Sequence, residues 1–182
     1  LRFIQSGIMK TPELSVFEAQ KEIGSFGERI HRMFSMVNEL LDTQDAKTFD
    51  KLYERIEKYE GISDNMEIEI AKYLDQVSDA HLSDDTKAKI RSMLRAISEI
   101  ESIGDSCYNL ARTIKRKGEN KEEFTAKQNE NVHQMFKLVD EALTQMNYMF
   151  AHDRQTINMN HTYNIETEIN NFRTQLRNQN LD

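Results

Sequence analysis

The chain has 182 residues, 31 of them acidic and 24 basic, for a formal net charge of −7; that balance counts against nucleic acid or an anionic membrane as partner and favours cation binding. One proline, six glycines and 30 % charged residues point to long uninterrupted helices, and a mean hydropathy of −0.72 points to an elongated bundle. The single cysteine, Cys107, excludes an internal disulfide and a zinc finger and fits a reducing compartment, while the lack of any run of about 18 apolar residues excludes a transmembrane helix.

In chain order, period-3.6 patterning predicts five helices and no strand. Residues 1–11 read as a linker from a preceding region, and an opening on Leu1 without methionine or signal peptide reads as a piece of a longer protein. The first helix runs from Pro12 to Leu41, behind a Thr11 cap with proline at the first helical position. The second runs from Ala46 to Val77. The third follows the capping run Ser83-Asp84-Asp85 and reaches Lys117, where Gly118 is expected to stop it. The fourth runs from Lys121 to Ala151 and the fifth from Asp153 to Asn180. The connections are short, so neighbouring helices are expected to be antiparallel.

An internal repeat lies across these elements. RIHRMFSMVNELL (29–41) aligns with NVHQMFKLVDEAL (131–143), with identity at His31/His133, Met33/Met135, Phe34/Phe136, Val37/Val139, Glu39/Glu141 and Leu41/Leu143. Identities off the apolar stripe favour duplication over chance. Helices one to three (12–118) then form one unit. Helices four and five (121–182) begin a second that lacks its third helix.

The chemistry gathers on helices two and three. At 100° per residue the apolar stripe of helix three is Ile90, Met93, Leu94, Ile97, Ile100, Gly104, Cys107 and Ala111, with Glu101 inside it and Asp105 on its border. The stripe of helix two runs through Phe49, Leu52, Ile56, Tyr59, Ser63, Met66, Ile70, Leu74 and Val77, with Glu60 and Glu67 inside and Asp64 on the border. EGISD (60–64) and ESIGD (101–105) are thus two E-x-x-x-D pairs in the same rotational phase. Carboxylates placed so must be paired, protonated or metal-bound. Two pairs on facing helices give an oxygen-rich patch able to hold multivalent cations. The alternative is a salt-bridged or solvated edge served by Lys58, Arg91, Arg95 and Arg112. Gly61 and Gly104 mark either close helix packing or room for a ligand over bare backbone.

Other patterns are weaker. Glu28-x-x-His31 and Glu130-x-x-His133 match the E-x-x-H of di-iron carboxylate oxidases, but relative to Ile30, His31 sits at about 100° and Glu28 at about 160°, off the core stripe. The methionines mostly fill stripe positions. Lys115-Arg116-Lys117 suits a helix C-terminus, and no phosphate loop, nucleophile elbow or H-E-x-x-H occurs.

ESIGDSCYNLA resembles the E-R-I-G-D-x-x-x-N-I-A helix of the PhoU family, with Ser102 in place of arginine and Glu101, Ile103, Gly104, Asp105, Asn109 and Ala111 matching. EGISDNMEIEIAKYL resembles the preceding family helix, and NIETEINNFRTQL (164–176) its counterpart in the second repeat, with Glu166 and Asn170 in the motif positions. The opening TPELSVFEAQKEI resembles the PhoU-like tail of bacterial sodium/phosphate cotransporters, which follows the membrane helices. The resemblance implies an all-α fold of two three-helix repeats, the second incomplete here, and a cytoplasmic regulatory role without catalysis. It implies iron or zinc, singly or as a cluster, at Glu60, Asp64, Glu101 and Asp105, with Glu67, Glu166 and Asn170 as weaker candidates. The implied partners are the membrane half of the same transporter and a second copy of the chain, with no nucleic acid. A free-standing regulator of the same family, acting on an ABC phosphate transporter, is the alternative.

Overall fold

The structure, a computed structural model, describes residues 11–120 and 125–151. Among them the chain is helical throughout, with four helices: α1 (Pro12–Asp42), α2 (Ala46–Ser78), α3 (Asp84–Glu119) and α4 (Ala126–Ala151). The expected fifth helix, with Glu166 and Asn170, and nearly all of the expected linker lie outside the described residues.

Side-chain caps set the helix starts. Thr11 Oγ1 accepts from the Leu14 N–H at 3.3 Å, Asp45 Oδ2 from the Thr48 N–H at 2.9 Å and hydroxyl at 2.6 Å, and Ser83 Oγ from the Thr86 N–H at 3.2 Å. Each satisfies an amide that has no partner inside the helix. Pro12 needs no such partner and opens α1. The last turns run further than the sequence predicts. Gly118 does not stop α3, which continues to Glu119 with Asn120 as its cap. The glycine keeps a right-handed φ, and only a left-handed one would have closed the helix there.

α1 is the centre of the molecule. α2, α3 and α4 all pack against it, and α2 packs against α3. Its buried residues include Ala19, Ile23, Phe26, Ile30, Met33, Val37 and Leu40, all fully enclosed. α2 adds Ile56, Ile70 and Leu74, and α3 adds Ile97, Ile100, Ile103 and Leu110. The predicted stripes of α2 and α3 are the buried or half-buried positions throughout.

Among the described residues α4 contacts neither α3 nor α2 and lies on α1 alone. The reason is that α2 and α3 already cover each other's apolar faces, while α1 still has Phe34 to cover. Phe34 meets Phe136 edge-on, ring centroids 4.2 Å apart, above buried Val132, Val139 and Leu143. His31 pairs with Asp140 and His133 with Asp42, so α4 runs antiparallel to α1. The two copies of the sequence repeat therefore face each other.

Candidate functional site

The α2–α3 face brings five predicted carboxylates together. Glu60, Asp64 and Glu67 follow one another at helical spacing along α2, and Glu101 and Asp105 along α3. The helices are held in register by Tyr53 of α2 against Tyr108 of α3, ring centroids 6.4 Å apart. Glu60, Asp64, Glu67 and Glu101 are half-buried and Asp105 is exposed, so the patch lies at the rim of the core and open to solvent.

Its electrostatics are one-sided. Partial burial pushes the Glu60 carboxyl up to about 7, reinforced by the charges of Asp64 and Asp105 and by hydrogen bonds to both. A carboxyl–carboxylate hydrogen bond needs a proton, and here Glu60 holds it. Burial and then Asp105, followed by Glu67, Asp64 and Glu60, push Glu101 up to about 7. Burial and neighbouring acids also raise Asp64 and Glu67, although the Glu60 hydrogen bond pulls Asp64 back. Every charge acting on these four groups is another carboxylate. Among the described residues none of Lys58, Arg91, Arg95 and Arg112 makes an ion pair with them, so of the alternative, a salt-bridged or solvated edge, the salt-bridged form does not occur.

The two glycines have different surroundings. Gly104 packs face to face with α1: a Cβ there would lie 2.8 Å from Ile30 Cδ1 and 3.5 Å from Met33 Cε. It is a packing glycine, and the ligand-room reading fails for it. Gly61 has nothing within 4 Å of a Cβ, so packing does not explain it.

As a cation site the patch fits in its chemistry. Its donors are all carboxylate oxygens, gathered without a counter-charge among the described residues, and an all-oxygen set suits a hard multivalent cation. Among the described residues no three His, Cys, Asp or Glu side chains are arranged to hold a metal ion as they stand; a cation would have to turn the carboxylates inward.

The E-x-x-H pairs do not join this patch. Glu28 pairs with Arg32 along α1 at 4.0 Å, His31 reaches Asp140, Glu130 is exposed, and His133 lies 3.5 Å from Asp42. They instead flank a cleft of about 280 Å³ between α1 and α4. It is lined by His31 and His133, Phe34 and Phe136, Ser35 and Lys137, and Asn38 and Asp140, and each pair is separated by the interval of the sequence repeat. Cys107 is buried, and burial pushes its thiol well up, so it is inert.

Two residues escaped the sequence reading. Glu22 is fully buried on α1; its place three after Ala19 and four before Phe26 was the available signal. Arg29 lies with its guanidinium 4.3 Å from the centroid of the Tyr59 ring, tying α1 to the residue beside Glu60. Nothing in the pattern of helix one distinguishes it from a solvated arginine.

A family model described as PhoU domain matches residues 23–114, just over half of the chain. The match contains all five carboxylates and both glycines. No curated protein and no solved structure matches the chain. Among the described residues no helix is long and apolar enough to cross a membrane.

Proposed function

Since the chain belongs to the PhoU domain family, whose members point to control of phosphate transport, we propose that it is the cytoplasmic regulatory domain of a sodium-dependent phosphate cotransporter. In this reading it couples phosphate status to transport through a cation on the α2–α3 face. The observation that supports it is the gathering of Glu60, Asp64, Glu67, Glu101 and Asp105 with no basic partner. Such a cluster costs stability unless something positive relieves it. Glu60, Asp64, Glu101 and Asp105 would hold the cation, with Glu67 beside them. Iron or zinc bound there would supply positive charge and cross-link α2 to α3. No part of this role is catalytic: regulation follows from whether the two helices are tied together.

The test is elemental analysis and calorimetric titration of Fe, Zn, Mn and Ni. Native protein should carry near-stoichiometric metal and the Glu101→Ala/Asp105→Ala variant at least tenfold less. Equal, negligible metal in both removes the cation from the reading and leaves the family assignment standing. The transporter context is tested separately by the coding sequence ahead of Leu1. Hydrophobic spans there support the cotransporter; a start codon close by makes the chain a free-standing regulator of the same family.

A further inference from the structure

The seam between α1 and α4 has chemistry that the carboxylate face does not share. α4 touches no described helix except α1, so this seam alone holds it in place among the described residues. The seam has an apolar centre, the Phe34–Phe136 pair, and a polar bridge on each side. One bridge runs from His31 on α1 to Asp140 on α4; the other runs from His133 on α4 to Asp42 on α1 at 3.5 Å. The histidines occupy equivalent positions of the repeat, so the bridges are reciprocal: each helix contributes one imidazole and one carboxylate.

In both bridges the cation is an imidazole, and an imidazole is the side chain that changes charge between pH 5 and 8. Other charged side chains border the seam. Lys137 of α4 lines the cleft, Arg32 is paired with Glu28 along α1, and Glu39 on α1 and Glu130 and Glu141 on α4 are exposed. α2 and α3 contribute no residue to the cleft. Among the described residues, these two histidine–carboxylate bridges are the ion pairs that cross the seam. Their side chains are 32 % and 58 % exposed in one bridge and 43 % and 62 % in the other, so each is modest and screened, and protons reach both freely.

We propose that the paired His31–Asp140 and His133–Asp42 bridges form a pH-responsive clasp, which holds α4 onto α1 while the imidazoles are protonated and loosens it as they lose their protons. The clasp works in one direction. Protonation converts each bridge into an ion pair across the seam, so the hold is strongest at the acid end of the imidazole range and fades towards its alkaline end. Loosening it frees α4 without disturbing α2 or α3, because among the described residues neither contacts α4.

Amide hydrogen exchange on the whole chain in chelator, corrected for the intrinsic effect of pH, tests this at pH 5.5 and 8.0. Protection of α4 amides relative to α2 amides should fall about three- to tenfold between the two pH values, in line with two exposed bridges. In His31→Gln/His133→Gln the ratio should be the same at both. If that variant does not fold, Asp42→Asn/Asp140→Asn removes the acceptor charges and should flatten the ratio equally. A native ratio that does not change, or a variant that keeps the native pH dependence, overturns the clasp. Normalising to α2 separates it from any change in overall stability, and from the fate of the cation reading.

Discussion

Glu60 and Glu101 hold protons that ordinary glutamates release near pH 4.5; each is pushed up to about 7, first by burial and then by neighbouring acids. The folded chain therefore binds more protons than the unfolded one between about pH 4.5 and 7. Their contribution to stability is fully present below that window, falls through it, and is lost above it. In chelator, the melting temperature should be higher at pH 5 than at pH 8, and Glu60→Gln/Glu101→Gln should raise it at pH 8 and flatten the slope. A cation prefers the ionised carboxylates, so loading should reverse the trend; circular dichroism melts with and without metal check both. The glycines make a second pair of predictions. Gly61→Ala meets open space and should stabilise by up to about 1 kcal/mol through helix propensity. Gly104→Ala gains the same propensity but drives a methyl to 2.8 Å from fully buried Ile30. Overpacking costs about 1–3 kcal/mol, so the net should be a loss of about 1 kcal/mol. Denaturant titration of the two variants separates a packing glycine from an unpacked one.

At the scale of the helices, the sequence makes starts legible and ends less so. Thr11-Pro12 and Ser83-Asp84 mark the first turns because a cap is a local hydrogen bond between near neighbours. The far ends are set by packing and fraying, which is why α1, α2 and α3 run past Leu41, Val77 and Lys117 to Asp42, Ser78 and Glu119. Ser83→Ala should cost about 1 kcal/mol, read as an earlier thermal transition. The phase of Glu60, Asp64, Glu101 and Asp105 was legible because 100° spacing is enough to place a residue at a stripe's edge. The absence of basic partners was not. Lys58, Arg91, Arg95 and Arg112 are close in sequence to the acids, and only the three-dimensional course of the helices shows that none of them forms an ion pair with those acids among the described residues. The position of α4 was not legible either. A repeat says that two segments are alike, not that they lie against each other.

For the molecule as a whole, the central place of α1 divides mutations into two kinds. Phe26 is fully buried in the helix that all the others share, so Phe26→Ala should cost about 3–5 kcal/mol and weaken α2, α3 and α4 together. Phe136 lies on α4 alone, and Phe136→Ala should release α4 while α1–α3 keep their exchange protection. Hydrogen exchange followed helix by helix distinguishes a global loss from a local one. The two proposals above therefore concern separate parts of the molecule: the cation reading concerns the α2–α3 face, and the clasp concerns the seam between α1 and α4.

Ile30 rests against Gly104, between Glu101 and Asp105, and the next residue, His31, reaches over to Asp140 of α4. Among the described residues α2 and α3 make no contact with α4, so α1 is the support that the two sides share. A side chain at 104 would press on the Ile30 Cδ1 methyl of α1. The missing Cβ of Gly104 thus lets α1 seat closely on the stretch of α3 that carries Glu101 and Asp105.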